Sequence, residues 1–170
     1  IVRRLVGSEM CIRDSRGPVR DALMQLTQEG VLEYQPNKGV RVSSLLTDEE
    51  RDVVVAMRLE LEKYCINKFI PIATKEDFEN ISVLLERLKN ACEVASLPEV
   101  AESDLALHRY WVAQASPHLE STWLGLSVRM IMKYSRLENY DQAIEEHSRI
   151  VEALLGRNID KAIYYLCLLY

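Results

Sequence analysis

Between Ser15 and Val42 the chain runs from a short helical pattern straight into a tight two-strand pattern, and this order constrains its fold more than any other stretch. The Ser15 hydroxyl is suited to cap a helix start, and Pro18 suits a first turn, where backbone N–H groups lack intrahelical partners. Val19, Ala22, Leu23 and Leu26 then recur at helical spacing and give one apolar face. Gly30 is placed to stop that helix. Val31–Tyr34 and Val40–Val42 are β-prone runs, joined by Gln35-Pro36-Asn37-Lys38-Gly39, whose residue types favour a turn. Arg16 and Arg20 stand four apart near the expected helix start, so both project from one side. Lys38 and Arg41 place positive charge on the hairpin, where it suits backbone phosphates.

Composition sets outer bounds. A chain of 170 residues, 48% hydrophobic and 28% charged, is long enough for a packed core and fits one domain, or a small domain beside a medium one. It has no apolar run long enough to cross a membrane and no clean signal-peptide core. Cys11, Cys65, Cys92 and Cys167 are widely spaced, which argues against a zinc knuckle or a disulfide framework and fits a reducing, cytoplasmic setting. The net charge is −5. Residues 1–43 carry seven Lys and Arg against five Asp and Glu, and the remainder carries fourteen against twenty-one. The asymmetry has the sign expected of a basic head on an acidic body, but it is too small to indicate nucleic acid by itself.

Beyond the hairpin every pattern is helical. Thr47 and Glu50 form a capping box, opening a helix expected to reach Phe69 and end before Pro71. Thr74 opens a second helix with Phe78, Ile81, Leu85, Leu88 and Cys92 on one stripe. Ser96-Leu97-Pro98 separates it from a third, over 99–114. A fourth carries Leu119, Trp123, Leu126, Met130 and Tyr134, a fifth spans 140–155, and a sixth begins near Ile159. The expected architecture is mostly α: a partial winged helix-turn-helix, then an antiparallel bundle of about six helices joined by short loops.

Three polar residues break the apolar stripes of that bundle. The third helix presents Val100, Asp104, His108, Trp111 and Ala115 inward, and the fifth presents Ala143, Ile144, His147, Ile150, Val151 and Leu154. Asp104 and His108 are one turn apart, so they are neighbours on one face. Buried without partners, such groups cost several kcal/mol. Each alone is more often a hydrogen-bonded core residue than a ligand. Together, a carboxylate and two imidazoles make a donor set for a divalent metal, zinc above all.

Two resemblances sharpen this reading. Ser15-Arg16-Gly17-Pro18-Val19-Arg20-Asp21-Ala22-Leu23, Glu29-Gly30-Val31-Leu32 and Asn37-Lys38-Gly39-Val40 resemble the recognition helix and wing of the GntR family of bacterial regulators. The resemblance implies DNA contacts from Ser15, Arg16, Arg20, Lys38 and Gly39. Arg58-Leu59-Glu60-Leu61-Glu62, Asp104-x-x-x-His108 and Glu146-His147-x-x-Ile150-x-x-Ala153-Leu154 resemble the FCD effector domain of the FadR branch of that family. That domain typically holds a divalent metal with one Asp and three His, completed by a small carboxylate. Asp104, His108 and His147 match three of these ligands, and Leu169 stands where the fourth His would fall. Arg58 is a candidate to bind an effector carboxylate, or simply a partner of Glu62 in a surface salt bridge. His118 reads as solvated, and Trp111 and Trp123 as core.

The resemblance implies a dimeric regulator that reads a double-stranded DNA operator and senses a small carboxylate. The organisation expected is a non-family segment over 1–14, a truncated winged helix over 15–43, an FCD-like domain over 44–166 that is itself truncated, and a tail over 167–170. The end segments are similar to translated sequencing-adapter sequence, so the chain reads as a fragment with artefactual ends, expected to bind DNA poorly and metal weakly. The rival readings are a metal-dependent hydrolase built on the same Asp/His/His set, and a helical dimerisation module without DNA binding.

Overall fold

The computed structural model describes the backbone over 8–132 and 139–170, with side chains from residue 17 onward in those ranges. The chain divides into two compact units, Ile1–Ser44 and Leu45–Tyr170. In the first, α1 (Ser8–Gln28) is followed by β1 (Leu32–Gln35) and β2 (Gly39–Val42). The helix begins upstream of Ser15, so Ser15 lies within it instead of capping it, and Pro18 is an interior residue. Gly30, at φ 79°, ends the helix as expected, with the Val31 N–H reaching back to the Leu26 carbonyl. The strands pair antiparallel with Glu33 opposite Arg41 and Gln35 opposite Gly39. The reversal requires left-handed backbone at Asn37 and Gly39, residue types that adopt it at little cost. Val19, Leu23, Met24 and Leu26 remain exposed, as do Tyr34 and Val42 on the hairpin.

Among the described residues the second unit is a bundle of six helices: α2 (Asp48–Ile72), α3 (Lys75–Glu93), α4 (Leu97–Ala115), α5 (Pro117–Ile131), α6 (Tyr140–Leu155) and α7 (Ile159–Leu169). The mostly helical fold class expected from the sequence is borne out, with local differences. Pro71 falls in the last turn of α2, which therefore runs past Phe69. The pair Leu97-Pro98 starts α4 instead of separating it from α3. His118 is exposed, but it sits in the first turn of α5, not in a loop. Tyr134 lies outside the described residues.

Side chains set the helix starts. Thr47 with Glu50 and Thr74 with Asp77 form complete capping boxes, and Asn139 and Asn158 cap α6 and α7 through their side-chain oxygens. Helix α2 packs against α4, α5 and α7, while α3 lies against α4 and α6. The core they enclose includes Ile66, Phe69, Ile81, Leu107, Trp111 and Trp123. Phe69 stands edge-on to Phe78 and Tyr110, and the Tyr110 hydroxyl donates to Asp77 at 2.9 Å, tying the α3 cap to α4. Thr74→Ala is therefore expected to cost about 1 kcal/mol, and Asp77→Ala more, because it also removes the acceptor of the Tyr110 hydroxyl. Equilibrium urea unfolding checks the order, and equal effects would contradict it.

Candidate metal and ligand site

The inward stripe of α2 begins with two charged residues. Arg58, Glu62, Cys65, Ile66, Phe69 and Ile70 are its buried positions, and they follow one another at helical spacing. The Arg58–Glu62 pair anticipated on the surface is in fact enclosed: the side chains are 1% and 0% exposed, with Arg58 Nε donating to Glu62 Oε1 at 2.7 Å. Trp123 Nε1, from α5, donates to the same oxygen at 2.7 Å, and the Tyr170 hydroxyl approaches it at 3.4 Å. The other oxygen, Oε2, receives His108 Nδ1 from α4 at 2.7 Å. A carboxylate buried to this depth is expensive unless fully hydrogen-bonded, and four donors from four segments converge on it.

That bond fixes the neighbouring imidazole. An ionised carboxylate only accepts, so His108 Nδ1 carries a proton, and in the neutral ring that a metal requires Nε2 presents its lone pair. His108 Nε2 is buried and has no hydrogen-bond partner among the described residues. It faces Asp104 Oδ1 at 3.8 Å, and His147 Nε2, from α6, approaches that same oxygen at 2.7 Å. His147 Nδ1 donates to the Ala143 carbonyl at 2.7 Å, so it too turns Nε2 toward Asp104. One donor atom from each of the three residues lies within 4.8 Å of the others. Donors around a tetrahedral zinc stand roughly 3.4 Å apart, a value these separations bracket. Two imidazoles anchored through Nδ1 and one carboxylate thus fit a divalent metal, and the orphaned Nε2 of His108 is the specific sign of it.

Charge follows the same geometry. Burial pushes the Glu62 carboxyl up, but the His108 ring and the Arg58 guanidinium, with N–H bonds from His108 and Trp123, bring it down to about 2. Burial opposes ionisation of Asp104 as well, and the bond from His147 with the nearby His108, His147 and Arg58 holds it well below the usual carboxylate range. For His147 burial works against the proton, yet the bond to Asp104 outweighs it and raises the ring above its ordinary value.

A cavity of about 160 Å³ opens beside these donors. Arg58, Asp104, His147 and Tyr170 line one part of it, and Leu169 also lines it. Arg58 Nη2 is buried and without a hydrogen-bond partner among the described residues, while its guanidinium lies 5.2 Å from the Trp123 ring centroid and 5.1 Å from that of Tyr170. Trp111 and Trp123 are core residues as expected, yet both also frame the site: Trp111 packs on His108 with ring centroids 4.6 Å apart. Glu62 was expected only as a surface partner of Arg58, not as the buried anchor of His108. The available signal was its phase, since Arg58 and Glu62 continue the apolar stripe of α2.

The residues expected to touch DNA belong to the other unit. Arg20, Lys38 and Gly39 are exposed there, and the side chains of Ser15 and Arg16 lie outside the described residues. Arg41, expected to offer free charge, is paired across the strands with Glu33.

Among the described residues a six-helix bundle thus encloses an Asp/His/His donor set beside a small cavity. The family model of the FCD domain matches residues 53–166, so the chain belongs to the FCD domain family. The uncharacterized HTH-type transcriptional regulator YdhC of Bacillus subtilis (strain 168) is 25% identical over 156 residues, covering 87% of this chain and 68% of that protein. Among solved structures, E. coli McbR/YncC superposes with a TM-score of 0.76 at 21% identity, over 91% of this chain and 80% of its own. A Rhodococcus sp. RHA1 protein assigned as a GntR transcriptional regulator gives 0.72 at 19% identity, over 98% and 82%. The fold is therefore that of GntR-type regulators, and the expectation that the chain is not an enzyme agrees with the names of its relatives.

Glu62→Gln removes the charge that faces Arg58 while keeping the shape. The expected loss is about 3–5 kcal/mol of stability, with metal affinity falling about 10–100-fold as His108 loses its anchor. Glu60→Gln, on the exposed face of α2, should do neither. The pH profile of the metal-free protein follows from the shifts. Lowered carboxyls stabilise fully above their ordinary values, 4.5 for Glu62 and 3.8 for Asp104, and lose that contribution as pH falls. A raised His147 stabilises fully below its ordinary 6.5 and loses that contribution as pH rises. Thermal unfolding should thus peak between about pH 4.5 and 6.5, with the alkaline decline reduced in His147→Gln. An unchanged alkaline decline in that variant would contradict the Asp104–His147 pairing.

Proposed function

We propose that this protein is a metabolite-responsive transcription regulator whose helical domain binds a divalent metal, zinc by the chemistry of the donors, through Asp104, His108 and His147. A small carboxylate effector would meet the metal with one oxygen and Arg58 with the other. The observation that supports this reading is that His108 Nε2, 3.8 Å from Asp104 Oδ1, and Arg58 Nη2, on a residue lining the same cavity as Asp104 and His147, are both buried without a hydrogen-bond partner among the described residues. Bound there, the metal would act as a Lewis acid that anchors a carboxylate oxygen. The protein's own residues supply the rest: Glu62 and the Ala143 carbonyl hold the two imidazoles in register, and Arg58 offers the remaining guanidinium N–H groups in a plane suited to a carboxylate.

In this reading the first unit reads an operator. The recognition helix would enter the major groove with Arg16 and Arg20, while Lys38 and Gly39 at the wing tip approach phosphates closely, a contact favoured by the absence of a side chain at Gly39. A homodimer would place two such heads on half-sites about one helical turn, roughly 34–36 Å, apart. The effector can act only by binding two arrangements of the dimer with different affinity.

Calorimetric titration of the metal-free protein with zinc tests the core of the proposal. Saturable one-to-one binding is expected, weakened at least tenfold by His108→Ala or His147→Gln and unaltered by His118→Ala. Binding that survives both site variants would overturn the assignment.

A further inference from the structure

The cavity beside the metal donors has two kinds of wall. Its polar lining comes from Arg58, Asp104, His147 and Tyr170. Its remaining wall is largely aliphatic, with Leu88, Leu97, Val100, Met130 and Ile131 drawn from three helices. Glu146, next to His147 on α6, also lines it, and its carboxylate accepts from the exposed Gln142 amide at 2.8 Å. Among the described lining residues Arg58 is the one guanidinium or ammonium cation.

We infer that this cavity selects small monocarboxylates with an apolar body and turns away acids that carry a second carboxylate. The inference rests on the reading of Arg58 and the metal donors as the effector site, and adds the class of ligand. With one carboxylate engaged at the polar side, the rest of a small acid lies against the aliphatic wall. Each methylene buried there should tighten binding about fourfold, the equivalent of ~0.8 kcal/mol. A second ionised carboxylate would be desolvated among Leu88, Leu97 and Met130, whose side chains offer no hydrogen-bond donor, and the charge of the Glu146 carboxylate would repel it. Both effects have the same sign, so discrimination does not depend on one residue alone. The specificity lies as much in what the wall rejects as in what Arg58 attracts.

The test is calorimetry on the zinc-saturated full chain with acetate, butanoate and pentanoate, against butanedioate and pentanedioate. Affinity should rise about fourfold per methylene along the first series. Pentanedioate should bind at least tenfold more weakly than pentanoate. Glu146→Lys replaces the repelling charge on a half-exposed position and should narrow or reverse that gap, with Glu146→Gln intermediate; zinc affinity is measured alongside for each. Pentanedioate binding as tightly as pentanoate to the unaltered protein would overturn the selectivity while leaving the effector reading in place. A gap unmoved by Glu146→Lys would remove Glu146 from the account. Failure of every carboxylate to bind the zinc-loaded protein at millimolar concentration would overturn the effector reading itself.

Discussion

The bundle is organised around one fully buried carboxylate. Glu62 receives N–H groups from Arg58, His108 and Trp123, on α2, α4 and α5, with the Tyr170 hydroxyl at longer range. A glutamate in that position would be intolerable with any of its charged or polar partners missing, and Arg58 would be equally intolerable without Glu62. The network therefore specifies how three helices meet as well as satisfying its own members. Such networks add specificity more reliably than net stability. An apolar substitute of similar volume could hold the helices together as well, yet it could not orient an imidazole.

Orientation is what links the core to the chemistry. His108 bonds Glu62 through Nδ1, which leaves Nε2 turned toward Asp104, and the Ala143 carbonyl, one turn back on α6, does the same for His147. The metal donors thus acquire their tautomers from groups that a reading confined to the donors would leave out. Arg58 stands in both settings, neutralising Glu62 through Nε while its Nη2 remains available beside the cavity. One residue of α2 connects the enclosed scaffold with the proposed ligand contact, so a ligand drawing on Arg58 would act on the same network that positions His108.

What the sequence revealed and what it concealed follow from the range of the interactions. The capping boxes at Thr47 and Thr74, the turn at Asn37-Lys38-Gly39 and the Gly30 stop are local, and each was legible from a few neighbouring residues. The bounds of α6, from Tyr140 to Leu155, match the expected 140–155 span. Asp104, His108 and His147 stood out as polar residues on apolar stripes, although only the fold brings His147 to Asp104. Glu62 escaped because Arg and Glu four apart on a helix usually form an exposed pair. Its burial is imposed by α4 and α5, and nothing within a turn of α2 announces them. Ser15 misled for the opposite reason: a good capping residue does not start a helix when upstream residues continue it.

The central claim is that Glu62 and the Ala143 carbonyl hold both histidines with Nδ1 protonated and Nε2 facing the metal position. Long-range proton–nitrogen NMR of the imidazoles reads tautomers directly, and the chain has three histidines, so His118 serves as the internal control. At zinc saturation, His108 and His147 are expected to keep the Nδ1 proton and to shift at Nε2, with His118 unchanged. A protonated Nε2 on His108, or a zinc-dependent shift confined to His118, would contradict it.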